Sequence, residues 1–458
     1  MKKRKIFLNI IFVIILFLFI LGVAPLSFQN DTLFDISLGD KYINDGISTI
    51  DEYSIHENLE YTPQHFMVNI ITYLIYNFSG FFGLYIWCII LTCILISIRA
   101  QMYSYIFFLL ELIFIEKFLR SKQYKYLIPL SILPLFIINF HAGTIYFYFI
   151  IIFVYLLNYI KIKTSKIEYN KDYVINLKYL LIPIIFGILF TFVNPFGYNQ
   201  IMYCVKTLSN SFINAYISEF QPINIKNTCG EFFYIYLLLI VVSILYTKKK
   251  ITLERLFLLL GTSFMTLMTL RHFSLFVIFT VPCLEYIEEL VIKFKNLLYK
   301  GITKQGVKVL KITIIATYLC VAIGFSSKYS LTNNLSGYLP KSEYPIDSVN
   351  YMKENIGNNS RIFNEYTYGS LLMFNDVKCF IDSRCDLYTK EYNKDCTVAE
   401  DYINAINCTG NYEEILSKYN IEYLLISKDS ALAKNIFNNS KYEKIFEDKI
   451  SYVIKVNH

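Results

Sequence analysis

Long apolar runs separated by short polar breaks fill the first 328 residues of the chain. A helix needs about 20 apolar residues to cross the roughly 30 Å core of a bilayer, so this pattern predicts about eleven membrane-spanning helices. Their centres lie near residues 16, 72, 90, 110, 132, 152, 185, 239, 261, 280 and 318. Two of the runs, Met102–Leu119 and Glu254–Leu270, are short for a complete span. We interpret the first run, Ile6–Leu26, as a retained helix because it is long for the apolar part of a signal peptide.

The pattern changes after residue 328, where continuous apolar runs end and short alternating runs begin. Strand-like runs are Arg361–Asn364, Lys378–Asp382, Ile421–Ser427 and Ser451–Val456. Helical patterns cover Ile346–Ile356 and Tyr412–Tyr419. The expected fold is therefore a polytopic α-helical bundle over residues 1–328, followed by a small α/β domain over residues 329–458.

Composition and charge agree with a membrane protein. The chain is 55% hydrophobic and 17% aromatic, with a mean hydropathy of +0.43, which is above the range of soluble domains. The net charge of +7 does not indicate nucleic acid, because lysine and arginine concentrate in alternate loops between the apolar runs. By the positive-inside rule these loops and the N-terminus are cytoplasmic. The connections expected outside the membrane are 27–64, 99–101, 139–143, 194–230, 269–272 and everything after about residue 328.

The first of these external connections, residues 27–64, is strongly acidic. A surface helix is expected around Phe34–Ile43, and Asp31 and Asp35 are four residues apart, so a helix places both carboxylates on one face. With Asp51, they are candidates for a general base or for ligands of Mg²⁺ or Mn²⁺, which prefer oxygen donors. The alternative, left open by the sequence, is an acidic loop that only contacts solvent.

Basic and histidine side chains occupy the short external breaks. They are Arg99, His141, Arg271 and His272, with His65 at the end of the acidic connection. Charged groups so close to apolar runs usually face a bundle interior or a water-filled cavity, and an arginine fork suits phosphate oxygens. The competing interpretation is that the arginines extend toward the membrane surface without a ligand.

Several of these segments resemble motifs of bacterial polytopic membrane proteins of the GT-C glycosyltransferase type, similar to the protein mannosyltransferase and lipid A sugar transferase superfamily. The matching segments are, in order, Asp31–Gly39, Asp51–Ser54, Pro63–Phe66, Arg99–Tyr105, Asn139–Gly143, Asn194–Gly197, Glu219–Pro222, Arg271–Phe276, Phe363–Leu371 and Phe380–Tyr388. The resemblance covers nearly the whole chain. The chain departs from the family where Asp35 replaces a histidine, Phe66 and Phe220 replace tryptophan, and Ser370 and Ser383 replace glycine.

This resemblance implies transfer of a sugar from a polyprenyl-phosphate donor on the outer face of the membrane, with inversion at the anomeric carbon. It implies Asp31 as the first candidate for the base or metal ligand, with Asp35 and Asp51 as second candidates. Arg99, His141, Arg271, His272 and His65 would then bind the donor phosphate.

The motif containing Asp382, Arg384 and Asp386 has two interpretations. It either binds the acceptor or forms an internal salt bridge that holds the small domain together. Cys379, Cys385, Cys396 and Cys408 lie in the same exported region, where they could form disulfides.

A second function remains open, namely a non-catalytic membrane protein that binds or transports a lipid-linked glycan. A general transporter is disfavoured, because the charged residues cluster at the span ends and not at the midplane.

Overall fold

The computed structural model describes residues 28–92, 100–298, 316, 335–357, 359–437 and 439–457. The predicted spans near residues 16 and 318, and the predicted domain boundary at 328, lie outside these residues. The helices in chain order are α1 (Asn30–Asn44), α2 (Phe66–Thr92), α3 (Ala100–Ser121), α4 (Leu127–His141), α5 (Ile145–Leu156), α6 (Lys171–Val174), α7 (Leu181–Thr191), α8 (Tyr198–Ser209), α9 (Ser211–Tyr216), α10 (Thr228–Tyr246), α11 (Leu253–Met268), α12 (Phe273–Thr280), α13 (Leu284–Leu298), α14 (Ile346–Asn355), α15 (Gly369–Phe374), α16 (Val398–Ile406), α17 (Tyr412–Lys418) and α18 (Ala431–Ile436).

The strands are β1 (Ile167–Glu168), β2 (Ile251–Thr252), β3 (Ile362–Asn364), β4 (Tyr423–Ser427), β5 (Tyr442–Glu447) and β6 (Ser451–Val456). The chain divides into two compact units. Of the described residues, the first unit contains 28–92, 100–102, 205–210 and those from 335 onward, and the second contains 103–204, 211–298 and 316. The first unit therefore includes both the acidic α1 region and the small sheet near the C-terminus.

The sheet of the first unit has the strand order β3-β4-β6-β5. Strands β3 and β4 are parallel, with Phe363 opposite Leu424, while β6 is antiparallel to both β4 and β5. Helix α14 packs on β5 and β6, and α18 packs on β4. The centre of β4 is fully buried, whereas β5 is an edge strand that exposes Glu443 and Lys444. Charged side chains on an edge strand oppose pairing with another chain.

The second unit is helical, with an aromatic core. Phe233, Phe276 and Tyr286 are completely buried there, and the rings of Phe233 and Phe276 meet edge to face at 4.9 Å between centroids. The short strands β1 and β2 pair in parallel through Ile167 and Ile251. Most of this unit's stability comes from packing of such apolar side chains between helices.

Three helical segments of the described chain are long and apolar enough to cross a membrane: Phe66–Cys88, Tyr124–Ile160 and Thr228–Tyr246. The segment Leu177–Thr191 is apolar but shorter. The longest segment folds back on itself, because the Tyr148 hydroxyl donates to the Leu130 carbonyl at 2.9 Å. Eighteen residues of continuous helix would separate them by about 27 Å. The chain therefore turns back at the predicted break over residues 139–143, whereas its position between two membrane spans stays a prediction.

Helix α2 is also interrupted, because Ser79 and Gly80 have non-helical backbone angles. Gly80 has φ of +62°, a conformation that glycine adopts without steric cost. This interruption lies between the predicted spans centred near residues 72 and 90. The total of about eleven spans expected from a 20-residue length stays a prediction.

Candidate functional site

Helix α1 places the two predicted carboxylates on one face. At its start, the backbone N–H of Thr32 donates to the Gln29 carbonyl at 3.0 Å, and the Gln29 N–H reaches the Thr32 hydroxyl at 3.4 Å. Asp31 lies in the first turn and is partly exposed, while Asp35, one turn later, is buried. The expected helix around Phe34–Ile43 is confirmed, so the carboxylates are neighbours on the helix surface.

Close packing of α1 on α2 depends on Gly39. A Cβ atom at this position would lie 2.1 Å from the Asn69 carbonyl oxygen and 2.6 Å from the Tyr73 Cβ. Only a residue without a side chain allows this approach. The contact fixes α1 against the beginning of α2, where the polar partners of Asp35 lie.

Asp35 forms an ion pair with His65, with 3.1 Å between Oδ1 and Nδ1. The same ring nitrogen lies 2.8 Å from Asn69 Oδ1. Burial raises the pKa of Asp35, although His65 lowers it in part. Burial alone would lower the pKa of His65, but Asp35, Asn69 and Asp31 together outweigh burial and the net shift is upward. Both pKa shifts favour a proton that stays on the Asp35–His65 pair. Because the two groups interact, they titrate together.

Asp386 belongs to the same cluster. Its carboxyl group accepts a hydrogen bond from the Gln64 side chain and lies close enough to His65 for the two to interact electrostatically. Burial raises the pKa of Asp386 to about 6. Its second oxygen, Oδ2, is buried and has no hydrogen-bond partner within the part of the chain that the structure describes. A buried carboxylate oxygen without a partner is costly, so this atom is suited to receive a donor from a ligand.

Asp51 and Asp382 enclose Arg384 in a buried triad. Arg384 Nη1 donates to Asp51 Oδ1 at 2.7 Å, while its Nε and Nη2 donate to the two Asp382 oxygens at 2.9 and 2.7 Å. The Tyr388 hydroxyl also donates to Asp382 Oδ2, at 2.6 Å. The guanidinium lies over the Tyr61 ring, 5.0 Å from its centroid. These bonds use three N–H groups of the guanidinium, and the two to Asp382 form a bidentate arginine–carboxylate pair.

The electrostatics of the triad favour the charged forms of Arg384 and Asp51. Burial opposes ionisation, but the two carboxylates raise the pKa of Arg384 well above its usual value. Likewise, Arg384 lowers the pKa of Asp51 against the effect of burial. The second Asp51 oxygen accepts from the Ser54 N–H at 2.9 Å. Asp51 and Arg384 are therefore engaged with each other, which fits the structural interpretation of the motif at residues 382–386.

The 378–382 run is not a strand of the sheet, contrary to expectation. Cys379 pairs instead with residues 53–55, through bonds from its N–H to the Tyr53 carbonyl and from the Ile55 N–H to its own carbonyl. Phe380 N–H donates to the Asn364 side chain at 2.7 Å. The acidic connection thus supplies the backbone partner that the sheet would otherwise provide. Strand β5, which the sequence did not predict, forms the sheet edge.

In the second unit, His141 lies at the break between α4 and α5. It is buried, and its Nδ1 lies 2.9 Å from the Ser104 hydroxyl, which is in turn 2.9 Å from the Thr144 hydroxyl. Ser104 and His141 come from two of the matched motifs, and the structure brings them into one hydrogen-bonded group with Thr144. The sequence analysis did not predict a role for Ser104. Its position inside a matched motif could have indicated one.

Arg271 and His272 form the turn between α11 and α12. The guanidinium of Arg271 lies 5.0 Å from the centroid of the Phe220 ring. His272 Nδ1 lies 2.5 Å from the Thr269 hydroxyl, and its ring meets the Phe147 ring edge to face at 5.7 Å. A cation over an aromatic face is held in place without losing its charge. Arg99, the remaining basic residue of the prediction, lies outside the described residues.

The described donors do not match a divalent metal site. Mg²⁺ and Mn²⁺ are held by several oxygen ligands. Across the described ranges there is no group of three or more His, Cys, Asp or Glu side chains that could hold a metal ion. Of the two expected ligands, Asp35 is already paired with His65.

The four cysteines expected in the exported region, Cys379, Cys385, Cys396 and Cys408, are free thiols in the structure. Cys379 and Cys385 are buried, and the Cys379 thiol lies 3.5 Å from Asp382 Oδ2. Burial raises the pKa of Cys385 to about 12, so this thiol stays protonated.

No protein-family model matches this chain, and a search of curated proteins also gave no match. Two crystal structures of the Archaeoglobus fulgidus oligosaccharyltransferase match it in fold. The form tethered through a disulfide bond to an acceptor peptide with the NVT sequon has a TM-score of 0.54 at 10% identity, over 91% of this chain and 69% of that chain. The apo form has a TM-score of 0.54 at 12% identity, over 92% and 69%. With its long apolar helices, this chain therefore has a membrane-protein fold of the GT-C type.

Proposed function

We propose that the protein is a membrane glycosyltransferase that transfers a sugar from a polyprenyl-phosphate donor to a lipid, glycan or protein acceptor of the cell envelope. The carboxylate cluster around His65, in a chain with a GT-C-type fold, is the observation that carries this proposal. The reaction takes place on the outer face of the membrane, with the N-terminus cytoplasmic and the small C-terminal domain extracytoplasmic. This orientation rests on the distribution of lysine and arginine between loops.

The partly exposed carboxylate of Asp31 acts as the general base. It takes the proton from an acceptor hydroxyl while that oxygen forms a bond to the anomeric carbon of the donor sugar. The bond between that carbon and the donor phosphate oxygen breaks, and the electron pair leaves with the polyprenyl phosphate. A single displacement of this kind inverts the anomeric centre.

Asp35 and His65 support the base. Because their ion pair is buried and shared with Asn69, it fixes the face of α1 from which Asp31 projects. Asp35, in the second turn of α1, is therefore a positioning residue and not the general base. This assignment explains how the family's usual histidine can be replaced by Asp35, because His65 supplies an imidazole to the same contact.

Asp386 is the acceptor-binding residue of its motif. Of the three candidates in that motif, Asp382 and Arg384 are engaged in the triad, whereas Asp386 has an oxygen with no partner in the described part of the chain. An acceptor hydroxyl or amide that donates to this oxygen would remove its desolvation cost. Asp51 has a positioning role through Arg384.

Binding of the donor phosphate is assigned to Arg99, His141, Arg271 and His272, on chemical grounds. Arginine offers parallel N–H donors that match phosphate oxygens, and the leaving phosphate gains negative charge as the bond breaks. The guanidinium of Arg271 is positioned by its contact with the Phe220 ring.

The test is transfer by the purified full-length Asp31→Asn variant. The radiolabelled probes are short-chain polyprenyl-phosphate mannose, glucose and galactose, with membrane extract as the acceptor source. We expect the rate to fall by about 10²- to 10⁴-fold, the usual contribution of a general base.

The matched control is Asp45→Asn, which removes an exposed carboxylate at the other end of α1 and should leave the rate unchanged. Full activity of Asp31→Asn would remove Asp31 from the mechanism, and binding of the probes without turnover by the native protein would favour a non-catalytic lipid-glycan carrier.

A further inference from the structure

A polar groove of about 770 Å³ lies in the first unit, apart from the carboxylates proposed for transfer. One wall is formed by residues 55–60 of the acidic connection, and the others by Arg361, residues 392–398 and residues 418–419. Its volume falls within the range of small-molecule sites in proteins. Neither the matched motifs nor the proposed mechanism uses this groove.

Charges of both signs line the groove in equal numbers. The cations are Arg361, Lys394 and Lys418, and the anions are Glu57, Glu60 and Asp395. A groove with a balanced set of charges does not favour a strongly anionic or cationic ligand, and its polar walls disfavour an acyl chain. A neutral ligand with many hydroxyl groups, each able to donate and accept, fits such a surface.

His56 provides a hydrogen-bond acceptor in this groove. Its Nε2 lies 2.8 Å from the Phe380 carbonyl oxygen, which can only accept, so Nε2 carries the proton. Burial lowers the pKa of His56 to about 4, so the imidazole is neutral near pH 7. Its Nδ1 is then an acceptor, on a side chain fixed by edge-to-face contacts with Phe380 and Tyr419 at 4.9 and 5.4 Å.

Arg361 provides donors beside this acceptor. Its Nε donates to the Tyr419 carbonyl at 2.6 Å, which anchors the side chain at the start of β3. No ion pair engages its guanidinium anywhere in the described ranges, so the terminal N–H groups are available to a ligand. The guanidinium is close enough to His56 to contribute to the lowered pKa of that ring. A fixed acceptor beside a fixed donor matches two adjacent hydroxyl groups of a sugar ring.

We propose that this groove is a carbohydrate-binding site in which His56 and Arg361 together bind a pair of neighbouring hydroxyl groups. Tyr419 and Tyr392 contribute aromatic surface for the apolar face of a sugar ring. Tyr392 is held in the groove wall by its hydroxyl contact with Thr207 of α8. Asn393 fixes the opposite wall, because its side chain bonds to both the N–H and the carbonyl of Glu60 at 2.8 and 3.1 Å. The site is pre-formed by these contacts, and it holds a glycan without reacting with it.

The experiment measures binding of three uncharged probes to the full-length protein in detergent. Maltotriose, mannotriose and galactotriose are titrated by saturation-transfer NMR, without any lipid-linked donor. We expect at least one trisaccharide to bind with a Kd in the millimolar range or below. Binding of that probe should weaken at least tenfold in Arg361→Gln and in His56→Phe, because each substitution removes one side of the donor–acceptor pair.

Two further variants keep the result interpretable. Arg361→Lys retains the charge and can still reach the Tyr419 carbonyl, but it lacks the fork, so weaker binding in this variant with an unchanged Tm supports the proposal. Lys353→Gln removes an exposed cation on α14, outside the groove, and should bind the trisaccharide normally. Sodium phosphate is added as a competitor, and it should not displace the sugar.

The proposal is overturned if no trisaccharide binds, or if Arg361→Lys and His56→Phe bind the trisaccharide as tightly as the native protein does. It is also overturned if phosphate displaces the trisaccharide when the two are present at equal concentration. These results are independent of the proposed transferase activity, because no donor is present. Conversely, loss of transfer in Asp31→Asn with intact trisaccharide binding separates the two sites.

Discussion

Arg384 Nη1 donates to Asp51 Oδ1 across 2.7 Å, although the two residues are 333 positions apart in the sequence. Asp51 lies in the acidic connection between α1 and α2, and Arg384 follows the Cys379 segment that pairs with residues 53–55. One buried ion pair therefore connects the region that carries the candidate base with the region that carries Asp386. Its integrity is expected to govern both stability and activity.

Substitution of Arg384 by Met should destabilise the protein by about 3–5 kcal/mol, because it leaves Asp51 and Asp382 buried without a counter-charge. The measurement is chemical or thermal unfolding of the detergent-solubilised protein. The exposed pair Lys341–Asp347 is the matched control, since Lys341→Gln should cost less than about 1 kcal/mol. A similar small loss for Arg384→Met would show that the triad contributes little.

Asp386 makes the stability depend on pH. Its pKa rises from 3.8 to about 6 on folding, so the folded protein keeps a proton that the unfolded chain releases. The resulting contribution to the free energy of unfolding is fully present below pH 3.8. It is lost as the pH rises to about 6, which lowers the free energy of unfolding by roughly 3 kcal/mol. Asp386→Asn should therefore be more stable than the native protein at pH 7, with a flatter profile between pH 4 and 7.

The control for this effect is Asp376→Asn, which changes an exposed aspartate in the same unit. It should reproduce the native pH profile in thermal unfolding measured at pH 4, 5, 6 and 7. An unchanged profile in Asp386→Asn would contradict the raised pKa of Asp386. If Asp386 also binds the acceptor, the variant loses transfer even though it gains stability at neutral pH.

Local patterns in the sequence predicted much of the fold. The helix around Phe34–Ile43, the break at residues 139–143 and the helices near residues 346–356 and 412–419 are all confirmed. Each depends on neighbouring residues, through apolar periodicity or a break between runs. Three of the four strand-like runs became β3, β4 and β6 for the same reason. The GT-C type expected from the ordered motifs is confirmed at the level of the fold.

The remaining features depend on distant contacts. Strand β5 was missed because Tyr442-Glu-Lys-Ile-Phe-Glu447 carries edge charges that weaken the alternation. The 378–382 run has strand-like residues but finds its backbone partner in residues 53–55. Likewise, no local pattern distinguishes Asp51, which pairs with Arg384, from the partly exposed Asp31 on the same connection. The groove near His56 is invisible in the sequence because its walls come from four separate segments.

The approach of α1 to α2 gives a test of how the candidate base is positioned. Gly39→Ala places a methyl group 2.1 Å from the Asn69 carbonyl, so α1 must move away from α2. We expect a loss of about 1–3 kcal/mol in unfolding free energy, together with a lower rate of transfer. Gly261→Ala on α11 is the matched control, because its methyl group meets nothing within 4 Å, and it should be neutral or slightly stabilising. Equal behaviour of the two variants would rule out tight α1–α2 packing at Gly39.

The bond between Ser104 and His141 tests whether this buried histidine takes part in donor binding. Ser104→Ala removes the 2.9 Å contact to Nδ1, so the imidazole loses one of the contacts that orient it. Loss of one hydrogen bond costs about 1 kcal/mol, so we expect the KM for the polyprenyl-phosphate sugar to rise about fivefold with kcat nearly unchanged. Ser104→Thr keeps the hydroxyl and should restore the native KM. Ser263→Ala removes a 2.6 Å bond from a buried hydroxyl to the Leu259 carbonyl within α11, and it should alter neither constant. A fall in Tm without any change in KM for Ser104→Ala would instead assign the Ser104–His141 pair to the stability of the second unit.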